Sequence, residues 1–216
     1  SAEFSPDGNW LALSGQQGVE LYSTNPPTLE CNLGLDESGP VAWHPVGREL
    51  ATFGMFSHVN RWPVATIPGS SDLSIGPPAS VAINLTLARL GADNRVPQHW
   101  GRHAIWHPDG KRLFYADSRN SHVWQFDVVT QKNEIVADLA SASFVAVSPD
   151  GKWIAGASSP IENVHVWDAV THEYALEVSG WGRMAFSPDG RILAVSSHSE
   201  FRFYNTLTWE IVRSWP

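Results

Sequence analysis

The chain has 216 residues, enough for one large domain or two small ones with a real core. Hydrophobic residues make up 43% and charged residues 17%, a balance that excludes a disordered tail. A formal net charge of -8 with no run of Lys or Arg argues against a nucleic-acid binder, and no stretch of apolar residues is long enough to span a membrane.

Read in chain order, the sequence is one phrase written five times. A short strand runs into the turn Ser5-Pro6-Asp7-Gly8, followed by strands over Trp10-Leu11-Ala12-Leu13 and Val19-Glu20-Leu21-Tyr22. The second unit has Val41-Ala42-Trp43, the turn His44-Pro45-Val46-Gly47, then Leu50-Ala51-Thr52-Phe53 and Val59-Asn60-Arg61-Trp62. A surplus follows before Trp106: its Pro/Gly/Ser-rich half predicts a loop, and residues 80–87 alternate as the outer strand of this unit. A surface loop and a docking arm for a partner are both open readings of this insertion. The third unit repeats the pattern with Ala104-Ile105-Trp106, His107-Pro108-Asp109-Gly110, Leu113-Phe114-Tyr115-Ala116 and Val123-Trp124-Gln125-Phe126. The fourth turns at Ser148-Pro149-Asp150-Gly151 and the fifth at Ser187-Pro188-Asp189-Gly190, with third strands ending in Trp167 and Tyr204.

The turn prolines stand 39, 63, 41 and 39 residues apart, a period of about 40 with one insertion. Proline presets the second position of a type I turn, and glycine takes the left-handed position that closes a bulged hairpin. Apolar runs of four or five residues between such turns predict strands, and no stretch carries a helical period. Each unit therefore reads as a four-stranded antiparallel meander. One such sheet cannot bury both faces, and stacking several around an axis solves that, with the 11 tryptophans filling the seams. The predicted fold is an all-β propeller with five blades in this chain, approximately 1–36, 37–95 (with an insertion over 63–99), 96–139, 140–178 and 179–216. A closed five-bladed ring and a piece of a longer propeller, for example one with seven blades, both fit; the second is preferred. An open arc would expose the faces of its terminal blades, which are then expected to associate with another chain.

The segment "VHVWDAVTHEYALEV" (164–178), with Trp167 followed by Asp168, and the Ser-Pro-Asp-Gly hairpins resemble the WD40-repeat family. The loose repeats are similar to those of large bacterial propeller proteins, some of them fused to serine/threonine kinases. The chain departs from the family pattern in lacking a Gly-His pair before its first strands. The resemblance implies a non-catalytic scaffold for protein–protein interaction. It leaves open a regulatory or sensory domain of a larger bacterial enzyme such as a kinase, and a carbohydrate- or small-ligand-binding propeller.

Candidate sites follow from the repeat. Loops before each first strand and after each second strand gather on one rim of a propeller, which places Phe56, Trp100, Arg102, Arg119, Trp181, Arg183 and His198 there as candidate partner contacts. "WGRHA" (100–104) and "WGRMA" (181–185) put Trp and Arg at nearly the same repeat position, and these two residue types dominate interface energetics. No catalytic residue, cofactor or metal is expected. An acid repeated in four of the five turns serves an architectural corner and not a single convergent active site. His44 and His107 read as turn caps, and the four-residue spacing of His99, His103 and His107 has no meaning for a metal outside a helix. Cys31 is alone, so no internal disulfide forms, which is compatible with a reducing compartment; a cytoplasmic location is expected.

Overall fold

A computed structural model describes every residue of the chain except 16, 35–37, 55–57, 68–72, 83–102, 118–120, 159–162, 181 and 198. The chain divides into two compact units, Ser1–Arg95 with Val129–Lys132, and Val96–Val128 with Asn133–Pro216. The described residues form 21 strands and no helix, so none is long and apolar enough to cross a membrane.

The first unit holds two sheets. β1 (Ala2–Phe4), β2 (Trp10–Gly15), β3 (Gly18–Thr24) and β4 (Pro27–Asn32) pair in sequence order. The second sheet runs β5 (Ser38–Trp43), β6 (Glu49–Gly54), β7 (His58–Thr66) and β8 (Leu73–Ile75), with β9 (Ala79–Ala82) also on β7. Of the outer strand predicted over 80–87, residues 80–82 lie in β9, where Val81 stands opposite Val59, and 83–87 lie outside the described residues. The Pro/Gly/Ser-rich half does not read through as loop. β7 continues past Trp62, and its extension Val64–Thr66 is long enough to pair with β8, Val64 standing opposite Ile75.

The second unit holds three four-stranded sheets. They are β10 (Ala104–Trp106) to β13 (Lys132–Asp138), β14 (Ala142–Val147) to β17 (Tyr174–Ser179), and β18 (Met184–Phe186) to β21 (Ile211–Trp215). Between β10 and β21 come β11 (Arg112–Asp117), β12 (His122–Asp127), β15 (Trp153–Ser158), β16 (Asn163–Asp168), β19 (Ile192–Ser196) and β20 (Phe201–Asn205). Every pairing is antiparallel, so side chains alternate between two faces of each sheet.

Those faces are complementary. In the fourth sheet Ala146, Ala155, Val164 and Val166 point one way and pack on Met184, Phe186, Leu193, Val195 and Tyr204 of the fifth. The first and second sheets repeat this, Ala12, Val19 and Leu21 meeting Val41, Trp43, Leu50 and Trp62. We call the first kind of face trailing and the second leading. In the fourth-to-fifth seam small trailing residues such as Ala146 and Ala155 meet bulky leading ones, whereas the third sheet places Phe114 at the position of Ala155 on its trailing face. Tryptophan serves these seams as expected: Trp43, Trp62 and Trp167 are buried in them. In the second sheet the buried Trp62 Nε1 donates to Thr52 Oγ1 at 3.0 Å.

The five hairpins share one geometry. In each, the glycine is left-handed, at φ +72, +68, +66, +73 and +71°, and its N–H donates to the carbonyl of the first tetrad residue at 2.8–3.0 Å. In the three serine turns the hydroxyl donates to the aspartate, at 2.6, 2.5 and 2.6 Å. The same Oγ accepts the N–H of the residue five positions on, Trp10, Trp153 or Ile192. His44 and His107 replace this with Nδ1 accepting the N–H two residues on. The serine and aspartate are thus consumed inside the turn, which is what a structural corner requires. Ser148 is fully buried and Ser187 is not. Ser148→Ala, which strands the Trp153 N–H, is therefore expected to cost about 2 kcal/mol and Ser187→Ala about 1 kcal/mol. Urea unfolding of the two variants checks the difference.

Candidate functional site

Of the seven rim candidates, Phe56, Trp100, Arg102, Arg119, Trp181 and His198 lie outside the described residues. Arg183 is exposed immediately before β18. Its carbonyl accepts both the N–H and the hydroxyl of Ser196, at 3.0 and 3.1 Å, so the backbone that carries the guanidinium is tied to the end of β19. Two glycines set the approach to it. A Cβ on Gly180 would run into the Val195 side chain, and Gly182 adopts φ +83°. Both positions therefore exclude larger residues, one for space and the other for backbone conformation.

Register corrects the likeness between "WGRHA" and "WGRMA". Ala104 stands opposite Tyr115, and Met184 opposite Val195. Tyr115 and Val195 are each seven residues past their turn proline. The two phrases are therefore offset by one position, and a one-residue offset in a strand exchanges the faces. The residue that matches Arg183 is His103, not Arg102. Phe144 holds the same position in the fourth sheet, five residues before Pro149.

His103, Phe144 and Arg183 thus mark one level of three successive inner strands in the second unit. Phe144 is partly buried beside the seam between the fourth and fifth sheets. A ring N–H of His103 donates to the Val145 carbonyl, while its Nδ1 has no partner. Burial holds its imidazole below the ordinary value; the bond to Val145 opposes this, and the Arg183 charge adds to the lowering. The ring is therefore neutral near pH 7, with Arg183 supplying the positive charge of the trio. Sequence reasoning selected Arg183 and did not group His103 with it. Counting back from the turn proline was the signal that groups it with Arg183 and Phe144.

His103 and His107 flank the three-residue strand β10. Extended backbone places them about 13 Å apart, too far for one ion. His107 is engaged elsewhere, with Nε2 at 3.0 Å from the Gly151 carbonyl. Among the described residues no group of three or more His, Cys, Asp or Glu could hold a metal. Cys31 is a free thiol, partly buried on β4 and packed beside the core of the first unit. Burial and the neighbouring Glu30 charge both push its pKa up, which makes it a poor nucleophile.

No family model matches the chain. The chain is 24% identical over 210 residues to a Drosophila melanogaster protein described as "Protein LST8 homolog", a WD40 protein, covering 89% of this chain and 60% of that one. In fold it is similar to a chain of Kuenenia stuttgartiensis hydrazine synthase, with a TM-score of 0.69 at 15% identity over 97% of this chain and 64% of that chain. The chain therefore spans less than two thirds of the length of either protein. The period, the hairpin geometry and both likenesses agree on the fold, an all-β propeller of WD40-like four-stranded antiparallel blades.

Proposed function

We propose that residues 1–216 act as one non-catalytic platform that binds protein partners through the loops at one rim of its blades. Arg183 is the central anchor in this reading, flanked by His103 and Phe144. Phe56, Trp100, Arg102, Arg119, Trp181 and His198 supply further contacts on the same rim.

One observation carries the reading. Arg183 is exposed on a backbone fixed by two hydrogen bonds from Ser196, whereas the serine and aspartate groups at the hairpin end are spent within their own turns. An exposed guanidinium on a fixed backbone, at the same strand level as a neutral imidazole and an aromatic ring, suits a carboxylate-bearing partner surface. The 24% identity to a WD40 protein supports an interaction role. A lone cysteine suits a reducing, cytoplasmic setting.

Affinity capture on the chain, quantified by mass spectrometry, tests this. Arg183→Glu is expected to lower capture of the specific partners about tenfold or more. Lys111→Glu, at the hairpin end, is expected to leave capture unchanged. Equal losses with both variants, or none with either, would overturn the rim assignment.

A further inference from the structure

The leading face of the fourth sheet carries a side-chain set that the other sheets do not repeat. Two rows cross this face, Val147–Ile154–Trp167–Tyr174 and Val145–Gly156–His165–Glu177. On the inner strands Val145, Val147 and Ile154 are buried in the seam with the third sheet, and Trp167 joins them there. The outer ends of the rows are open, Tyr174 at 56% and the Glu177 side chain at 53% exposed. The fourth sheet is packed on both faces, by the third sheet and by the fifth, and these two side chains stay open all the same.

Three rings meet at this outer end. His165 stacks on Trp167 with centroids 5.9 Å apart, and Tyr174 lies 6.1 Å from His165 and 6.5 Å from Trp167. Gly156 makes the room, since a Cβ there would come within 2.9 Å of the Trp167 ring. Glu177 stands beside the rings. Among the described residues it pairs with no Lys or Arg, and His165 Nδ1 faces it at 3.9 Å. Acceptors face the same seam from the third sheet. Burial lowers the His172 pKa and the Glu134 charge opposes this, so Glu134 is turned toward the fourth sheet. Gln125 stands opposite Phe114, whose side chain is in the seam, and its buried Oε1 has no hydrogen-bond partner. Arg112 also acts on His172, but it is held at the hairpin end by Asp109 Oδ2 and the Ala169 carbonyl.

Repeat equivalence separates this set from architecture. The place of Glu177 is taken by Asn32, Ser80 and Ser214 in the first, second and fifth sheets, and by Val136 in the third when counted from its turn proline. The place of Tyr174 is taken by Leu29, Ile211 and, by the same count, Asn133. The fifth sheet supplies its own cation. Arg202, in the place of His165, donates to Glu200 Oε1 at 2.7 Å, and Glu200 and Tyr204, in the place of Trp167, both hold it charged. The fourth sheet has the rings and the carboxylate and leaves the cation out.

We propose that this outer end of the fourth sheet is a docking site for a basic side chain, lysine or arginine, of a protein partner. The cation lies over the Tyr174 ring, whose face attracts positive charge, and pairs with the Glu177 carboxylate. The rim around Arg183 suits a carboxylate; this site takes the opposite charge and stands independently of that reading.

Nuclear magnetic resonance titration of the 216-residue chain with N-acetyl-lysine methylamide, N-acetyl-arginine methylamide and the uncharged N-acetyl-norleucine methylamide tests it. The two cationic probes are expected to shift the Tyr174 and His165 ring signals saturably, and the norleucine probe to leave them in place. Glu177→Gln is expected to weaken binding about tenfold and Tyr174→Leu about fivefold, whereas Tyr174→Phe, which keeps a ring, retains it. Both side chains are half exposed, so the urea midpoints of these variants stay at the wild-type value. Glu173→Gln removes a neighbouring exposed carboxylate and is expected to change nothing, which controls for general attraction to an acidic chain. Arg183→Glu is expected to leave binding here unchanged, so a failure of the rim reading and a failure of this one are told apart. Equal shifts from the lysine and norleucine probes, or equal losses from Glu177→Gln and Glu173→Gln, would overturn the proposal, as would ring signals that no probe moves.

Discussion

Gly151→Ala is expected to lower the stability of the second unit by about 3 kcal/mol, because backbone strain and steric overlap fall on the same atom. Gly151 sits at φ +73°, where a side chain is strained in any surroundings. An added Cβ would also lie 2.5 Å from His107 Nε2 and 2.6 Å from its Cε1. The ring cannot retreat cheaply. Its Nε2 lies 3.0 Å from the Gly151 carbonyl and 2.8 Å from Arg112 Nη2, and its Nδ1 lies 3.2 Å from the Asp109 N and 3.0 Å from Asp109 Oδ2. Arg112 is itself held by Asp109 Oδ2 at 2.9 Å and by the Ala169 carbonyl at 2.7 Å. Displacing the imidazole thus disturbs the joint between the third and fourth sheets. Gly190 supplies the control. It has nearly the same φ, +71°, but its Cβ would meet nothing closer than Pro149 Cδ at 3.7 Å. Gly190→Ala is expected to cost about 1 kcal/mol, the backbone component alone. Urea midpoints of the two variants separate these contributions, and equal losses would show that the His107 contact carries no weight.

The same pair of turns shows why the fold was readable from residues. Pro-Asp-Gly dictates a local conformation that needs no distant partner, and all five hairpins formed where the prolines stood. The short apolar runs were equally local, since a strand buried on two faces needs apolar residues on both. What failed depended on partners. β8 lies in a stretch rich in breakers and forms because β7 overruns Trp62 by four residues and offers it an edge. No composition signal announces such an overrun. The candidate rim was legible in part. Arg183 was chosen for its residue type; the structure adds that it is exposed and that its carbonyl is bonded to Ser196. Its alignment with Arg102 came from matching letters, whereas register is counted from the turn. Counting from Pro108 and Pro188 puts His103 and Arg183 at one level, and that count needed only the sequence. The charge of His103 could not be read the same way, since it follows from burial, which outweighs the bond to the Val145 carbonyl.

Stability of the first unit is expected to fall as pH rises from about 4.5 to about 8, and Glu3 is the cause. Glu3 is on the trailing face of β1, opposite Ala12. Its Oε2 accepts the Trp43 N–H at 3.0 Å, and its carbonyl accepts Trp43 Nε1 at 3.2 Å. Burial pushes the carboxyl up to about 8 from 4.5, and the Trp43 N–H only partly opposes this. Between those values the folded chain keeps a proton that the unfolded chain releases, so the stability curve has a negative slope there. The contribution is complete below about pH 4.5 and gone once the pH has risen through about 8. Because the side chain retains some exposure, the loss across the window is on the order of 2 kcal/mol rather than the full value of the shift. The hairpin aspartates act with the opposite sign. Hydrogen bonds from Ser5 and Ser187 hold Asp7 and Asp189 below 3.8, so their stabilisation is present above that value and is lost as pH falls through the lowered one. The two limbs do not overlap, which puts maximal stability of the first unit near pH 4 to 5. Glu3→Gln keeps the acceptor for the Trp43 N–H and has no proton to lose. Urea unfolding in steps of pH should show the alkaline-side slope in the wild type and a flat profile in the variant, with the acid limb unchanged. A slope that survives the substitution would place the buried ionisation elsewhere and leave the Trp43 contact as packing alone.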